Sequence, residues 1–304
     1  RSSREQLPPE AMQYGFGNVT VSLTRYCDIL CRYCINDSLP CPSVIIPSDH
    51  NVMSSETLSA LIRFIHATQP YLLNISGEGE PTLVFENVLR LIREADASVI
   101  NLLTNGNWAS SDKNTEVILS LIERALSRRR WSGRRLAIKL SVDRFRLERV
   151  SLDNVFRVMD VIRERSRGRE SYPIKLRLSF LAENKARDNP IIQVISRSGG
   201  RISRASGRMV DQETFVVDTG DFSYLVEGQP LETGSQRMQA NITDQDEALF
   251  VPLDALGQME NFPVSLTREP KSLNIYVTVE GDVRICDITN PDLSIGKINQ
   301  SPDA

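Results

Sequence analysis

Between residues 18 and 217 short apolar runs alternate with helix-forming stretches, and this rhythm restricts the fold more than any other feature of the chain. Asn18-Val19-Thr20-Val21-Ser22-Leu23 sets Val19, Val21 and Leu23 on one face and predicts a first strand. Ser54-Ser55-Glu56-Thr57 opens a helix: Ser54 can cap it, and Leu58, Leu61, Ile62 and Ile65 give it a face of period 3.6. Further strands are predicted at Tyr71–Ile75, Val99–Leu103, Leu136–Leu140 and Ile174–Phe180, with helices at about 84–96, 112–129, 152–165 and 188–197. Thr214-Phe215-Val216-Val217 is a candidate sixth strand. Such alternation requires a parallel sheet joined by right-handed crossovers. An open doubly wound sheet and a closed or partial barrel both satisfy it. The chemically unusual residues fall immediately after strands, at what would be the C-terminal end of a parallel barrel, where such folds carry their active sites.

The first of these stretches is Cys27-Asp28-Ile29-Leu30-Cys31-Arg32-Tyr33-Cys34. It holds three of the five cysteines in the chain. Chance would produce that spacing in roughly one chain of this composition in a thousand. Three thiolates on one tight loop can hold three corners of a [4Fe–4S] cluster and leave the fourth iron open to a ligand. A zinc site and plain buried cysteines are the alternatives. Zinc favours a Cys-x2-Cys pair with a second pair downstream, and the chain offers no second pair and only His50 and His66 as imidazoles.

Cys-x3-Cys-x2-Cys with an aromatic residue before the last cysteine resembles the signature of the radical S-adenosylmethionine (AdoMet) superfamily. The resemblance implies an α/β fold, a partial (β/α)6 TIM-like barrel over about residues 15–220. It also implies Cys27, Cys31 and Cys34 as ligands of a [4Fe–4S] cluster whose open iron chelates AdoMet, and Tyr33 beside the adenine. Reductive cleavage of AdoMet would then give a 5′-deoxyadenosyl radical that abstracts hydrogen from substrate. An external one-electron reductant such as flavodoxin or ferredoxin is implied as a partner.

Gly77-Glu78-Gly79-Glu80-Pro81 resembles the Gly-Gly-Glu-Pro motif of that family, with Glu78 where a small residue is usual. The resemblance implies that Gly77, Gly79 and Glu80 meet the methionine amine; a solvated strand–helix turn is the plain alternative. Thr104-Asn105-Gly106 looks like the family's polar turn after the third strand, or an ordinary Asn-Gly turn. Ser141-Val142-Asp143 resembles the fourth-strand segment, implying that Ser141 and Asp143 approach the ribose or the carboxylate of AdoMet; helix capping explains them equally well. Arg177 and Ser179 share a face that could line the barrel, where an arginine pairs with a carboxylate of cofactor or substrate; an outward, solvated Arg177 is the alternative. Arg197, Arg201, Arg204 and Arg208 read as a solvated connection, or as a positive loop for an anionic group or a partner. Arg128-Arg129-Arg130 complements a helix end.

Leu273 to Cys286 reads as a hairpin turning at Gly281-Asp282 and is similar to the start of SPASM and twitch extensions. Cys286 is therefore a ligand of a second iron–sulfur cluster, a hydrogen donor to a substrate radical, or an inert buried thiol. Cys41 is expected to be inert. The organisation expected is a lead-in over 1–16, a barrel over 17–220, and a small α+β extension over 221–304 that covers the substrate side.

A net charge of −3 and a pI near 5.7 give no basic surface for nucleic acid. No run of eighteen apolar residues is present for a membrane span. Residues 1–16 lack an apolar signal core, and clustered cysteines suit a reducing compartment, so a cytoplasmic enzyme is expected. The expected activity is hydrogen abstraction from a polar small molecule, leading to epimerisation, dehydration or oxidation. Modification of a peptide or protein is the second expectation. An iron–sulfur carrier or zinc module without enzymatic activity is the third.

Overall fold

The computed structural model describes residues 16–32, 34, 36–46, 48–128, 135–169, 172–181, 190–204, 214–220, 222–229, 273–285 and 294–298. Tyr33, Arg208, Cys286 and the stretch 231–272 lie outside them.

Strand β1 (Phe16–Ser22) leads into the cysteine loop, which carries the two-residue strands β2 (Tyr26–Cys27) and β3 (Leu39–Pro40). Then follow α1 (Ser55–Thr68), β4 (Leu72–Ser76), α2 (Phe85–Glu94), β5 (Val99–Thr104), α3 (Asp112–Ser127), β6 (Arg135–Ser141), the short α4 (Arg144–Leu147), α5 (Leu152–Ser166), β7 (Ile174–Leu181) and α6 (Pro190–Ser198). Helices α1, α3 and α5 each begin at a capping serine. Ser54 accepts the Thr57 N–H at 3.1 Å, Ser111 the Asn114 N–H at 3.2 Å and Ser151 the Asp153 N–H at 3.2 Å.

Strands β1, β4, β5, β6 and β7 are adjacent and parallel. The sixth parallel strand is β10 (Ser223–Gln229), paired with β7. Thr214–Val217 do form a strand as expected, but not the sixth parallel one. Those residues form β9 (Thr214–Asp218), which runs antiparallel to β10 and is flanked in turn by β8 (Arg201–Arg204). Residues 219–222 are too few for a crossover, so β9 and β10 can only make a hairpin. The expected boundary at residue 220 falls between these two strands of one sheet.

On the other side of β1 lies β11 (Leu273–Val277), also parallel to it. β12 (Asp282–Ile285) turns back antiparallel, and β13 (Ser294–Lys297) pairs with β12. The described strands form an open partial barrel with β13 and β8 at its edges.

The alternation of the strands divides the sheet into two unlike faces. Val19, Val21, Leu73, Ile75, Ile100, Leu102, Ile138 and Leu176 are buried under the helices in one continuous core. The intervening residues include Thr20, Ser22, Asn74, Asn101, Lys139, Ser141, Arg177 and Ser179, with Leu103 and Ala137 among them, so the other, concave face is mostly polar. Among the described residues no helix is long and apolar enough to cross a membrane.

Candidate functional site

The cysteine loop is clasped at its base. Tyr26 pairs with Leu39 and Cys27 with Pro40, the Leu39 N–H donates to the Arg25 carbonyl at 2.7 Å, and the Cys41 N–H donates to the Cys27 carbonyl at 3.2 Å. Within the loop Leu30 takes a left-handed backbone conformation, φ 42°, which lets the chain double back between Cys27 and Cys31. Ile29, Cys31 and Val150 are buried together, with Cys27 and Cys34 packed against them.

Donors converge on the sulfurs. The Ile29 and Leu30 N–H groups donate to Cys27, and Asn105 Nδ2 stands 3.9 Å from its Sγ. The Ser38 N–H donates to Cys34 Sγ at 3.4 Å, and the Ser38 hydroxyl lies 3.3 Å away. Cys31 donates to Cys34 and brings that thiol down to about 5, against the effect of burial; Ser38 and the Asn36 N–H lower it further. The same contact, with burial, pushes Cys31 up. Burial also raises Cys27. A set of thiols in an apolar nest, with N–H donors aimed at sulfur, fits a thiolate-bound iron–sulfur cluster. Among the described residues no group of three or more His, Cys, Asp or Glu side chains is arranged to hold a single metal ion. A cuboidal cluster, bound at separate corners, does not require that arrangement.

The Gly77–Pro81 turn lies flat against the strand that leads into this loop. Gly77 has φ 121°, and a Cβ there would sit 2.7 Å from Ser22 Cβ. A Cβ on Gly79 would sit 2.3 Å from the Tyr26 carbonyl oxygen and 2.6 Å from that of Thr24. Only glycine fits either position. The Gly77 carbonyl accepts from Asn36 Nδ2 at 2.9 Å, and the Glu78 carbonyl accepts from the Ser38 hydroxyl, so the turn is bonded to the cysteine loop itself.

Glu80 is 3% exposed and committed to the protein. It accepts the Thr82 N–H at 3.1 Å, the Thr82 hydroxyl, the Thr104 hydroxyl at 2.7 Å and the Asn105 N–H at 2.8 Å. It caps the 3-10 turn Pro81–Val84 and fastens the end of β4 to the end of β5. Burial raises its pKa against the pull of these donors. Asn105 in turn donates from Nδ2 to Asp28 Oδ1 at 2.8 Å, and Asn107 Nδ2 donates to Asp28 Oδ2 at 2.7 Å. The third-strand turn is thus tied to Cys27-Asp28.

Ser141 ends β6 half-buried, in register with Ser179 of β7. Asp143, 2% exposed, caps α4 through the Arg146 N–H at 3.0 Å and pairs with Arg146 Nη1 at 2.6 Å. The capping alternative therefore describes Asp143 as it stands. Arg146, whose charge acts on Cys31 and Cys34, escaped sequence reading. Its only signal was its position three residues after a capping aspartate. Arg25 was missed too. It bonds Glu78 Oε2 at 2.8 Å and Glu280 Oε1 at 2.7 Å, and so neutralises the unusual Glu78 while linking it to the β11–β12 turn. Arg197 lies over the Phe156 ring at 4.0 Å and 3.5 Å from Asp153, both on α5. The Cys41 thiol donates to the Pro42 carbonyl at 3.4 Å. The positions expected for Tyr33 and Cys286 lie outside the described residues.

No family model matches the chain, and no curated protein matches it closely. Solved structures do. Native anSMEcpe with bound AdoMet overlays with a TM-score of 0.51 at 14% identity, over 93% of this chain and 78% of that one. BtrN in complex with AdoMet and 2-DOIA overlays at 0.32 and 13% identity, over 93% and 78%. Streptococcus suis SuiB bound to precursor peptide SuiA overlays at 0.37 and 12% identity, over 90% and 60%. The first overlay shows that this chain shares its fold with that protein, and its open, mostly parallel sheet agrees with the partial α/β barrel that the cysteine motif implied.

Proposed function

We propose that the chain is a radical AdoMet enzyme acting on a polar small molecule, with Cys27, Cys31 and Cys34 holding a [4Fe–4S] cluster. The observation that carries this is the bonding of the cysteine loop to the strand ends: Gly79 against the Thr24 and Tyr26 carbonyls, and Asn105 joined to Asp28 beside the Cys27 sulfur. The bound AdoMet in the solved structure of like fold supports it. When bound, cluster and AdoMet would supply an electron and a 5′-deoxyadenosyl radical able to take hydrogen from substrate.

The residues of the chain divide the remaining work. Ser38, Asn36 and the Ile29 and Leu30 N–H groups orient sulfur lone pairs and favour the thiolates. Gly77 and Gly79 let the backbone approach the methionine amine. Glu80 holds that turn from beneath, fixing its position relative to Asn105. Ser141 and Tyr33 serve the ribose or carboxylate and the adenine. Asp143 aims Arg146 toward the cysteines. The polar concave face receives the substrate, and an external one-electron reductant serves the cluster.

Anaerobic reconstitution with iron and sulfide counting, and electron paramagnetic resonance with and without AdoMet, tests the proposal. About four irons per chain, all lost in the Cys27→Ala/Cys31→Ala/Cys34→Ala variant, and a spectrum altered by AdoMet are expected. About eight, half kept in the variant, would assign Cys286 to a second cluster. A spectrum indifferent to AdoMet would return the chain to the iron–sulfur carrier class.

A further inference from the structure

One register row crosses the concave face at constant depth. Arg284 of β12, Tyr276 of β11, Thr20 of β1, Asn74 of β4 and Asn101 of β5 are successive Cα partners, so their side chains leave the sheet on the same side. The row lies two residues before Ser22 and Ser76, about 7 Å beneath the rim where the cysteine loop and the Gly77–Glu80 turn lie.

The middle of the row is satisfied and its ends are not. Asn74 Nδ2 donates to Thr20 Oγ1 at 3.3 Å, and Asn101 Nδ2 donates to Asn74 Oδ1 at 3.0 Å. Asn101 Oδ1 then accepts nothing, although the residue is 4% exposed. At the other end Tyr276 is 2% exposed, and its hydroxyl stands near Ser22 but outside hydrogen-bonding geometry. Burial raises its pKa, so the phenol stays a donor. Arg284 beside it is half-buried; its Nε is buried without an acceptor, and no carboxylate among the described residues pairs with it. Glu78, whose charge acts on Tyr276, and Glu280 of the β11–β12 turn both pair with Arg25 instead. Folded proteins leave only a few buried polar groups per hundred residues without partners, and here three such groups share one row of five residues. Donors at one end and an acceptor at the other match complementary groups on a ligand.

Arg284 offers a planar fork that fits a carboxylate or phosphate, and Tyr276 adds a further donor. Tyr276 and Asn101 are three strands apart, about 14 Å at Cα, and the inward curve of the sheet brings the side-chain tips closer. We infer that this row binds the substrate lengthwise: Arg284 and Tyr276 hold a carboxylate or phosphate on the β11–β12 side, and Asn101 accepts a hydroxyl or amine on the order of 10 Å away. Ser22, beside the Tyr276 hydroxyl, is the residue Gly77 packs against, so the acid is held next to the turn assigned to the methionine amine. The inference deepens the proposed function and rests on it for the word substrate, but binding is testable without a cluster.

The probes are matched pairs of suitable length: pantothenate against panthenol, and uridine 5′-monophosphate against uridine. Binding to the full chain is followed by saturation-transfer NMR, with AdoMet affinity and the thermal midpoint measured on the same samples. At least one acid should bind about tenfold more tightly than its neutral partner, and which acid does so tells carboxylate from phosphate. Arg284→Met should remove most of that preference without lowering the midpoint, because no ion pair is broken. Tyr276→Phe should weaken the acid severalfold, and Asn101→Leu should weaken acid and neutral partner alike. Equal binding of acid and neutral partner by the unaltered protein, a comparison that needs no variant to fold, overturns the inference. So does a lowered midpoint in Arg284→Met with the preference intact, which would make the arginine structural. A parallel loss of AdoMet binding in Arg284→Met and Tyr276→Phe also overturns it, by assigning the pair to the AdoMet carboxylate. Acid preference that persists when AdoMet leaves the cluster spectrum unaltered would retain this site and discard the radical reading alone.

Discussion

The buried Glu80 carboxylate accepts the Asn105 backbone N–H at 2.8 Å, a bond that ties the turn after β4 to the end of β5. Glu80→Gln keeps the shape but turns one acceptor into a donor facing other donors. It should lower unfolding free energy by about 2 kcal/mol, read as a fall in the urea midpoint at unchanged slope. The pH dependence has a definite sign. The folded carboxyl has its pKa raised by burial, so between the unfolded and folded pKa the native state binds more protons. Its contribution therefore grows as pH falls from 7 toward the unfolded value near 4.5. The advantage of the unaltered protein over Glu80→Gln should widen over that interval; a constant difference would refute this.

Gly79→Ala places a methyl group against the backbone of Thr24 and Tyr26, which cannot rotate away. The turn or the strand before Cys27 must shift. Destabilisation of about 3 kcal/mol is expected by chemical denaturation. The variant should also bind less iron than a Gly168→Ala control, which is strained at φ 71° but whose added Cβ meets nothing.

Asp143→Asn leaves the Arg146 guanidinium without its carboxylate while keeping the helix cap. Arg146 is about a third exposed, so solvent screens part of the loss, and about 1–2 kcal/mol is expected. Asp143→Ala, which removes the cap too, should cost about 1 kcal/mol more by the same denaturant titration.

Arg25→Met breaks the link from Glu78 to the β11–β12 turn. Because Arg25 and Glu280 are both partly solvated, global stability should fall by no more than about 1 kcal/mol. The local effect is larger: amide hydrogen exchange across residues 278–281 should accelerate, and unchanged exchange there would show that other contacts hold the turn.

Much of the frame was legible because local signals and tertiary demand agree. Val19, Val21 and Leu23 alternate, Ser54 caps, and Cys27 follows a strand, so the parallel series and the position of the cysteine loop were readable from residue types alone. Thr214–Val217 was rightly read as a strand, but Ser223–Gln229 is equally strand-like and was not singled out, and only the pairing shows which of the two lies parallel to β7. The partnership of Arg25 with Glu78 and Glu280 joins residues far apart in the chain, and no spacing rule reports it. Glu80 was recognised by its motif, but its commitment to Thr104 and Asn105 depends on how β4 and β5 stagger, which the sequence does not display.

The parallel pairing of β11 with β1 means that the first strand acquires its second neighbour only from residues 273–277. During synthesis from the N-terminus, this side of β1 stays unpaired until residues 273–277 have emerged. For that period the backbone amides of residues 16–22 are an open template for another strand. The β11–β12 hairpin is thus a latch on β1, and a chain stopped before Leu273 would keep its cysteine loop yet expose a bare β edge beside it.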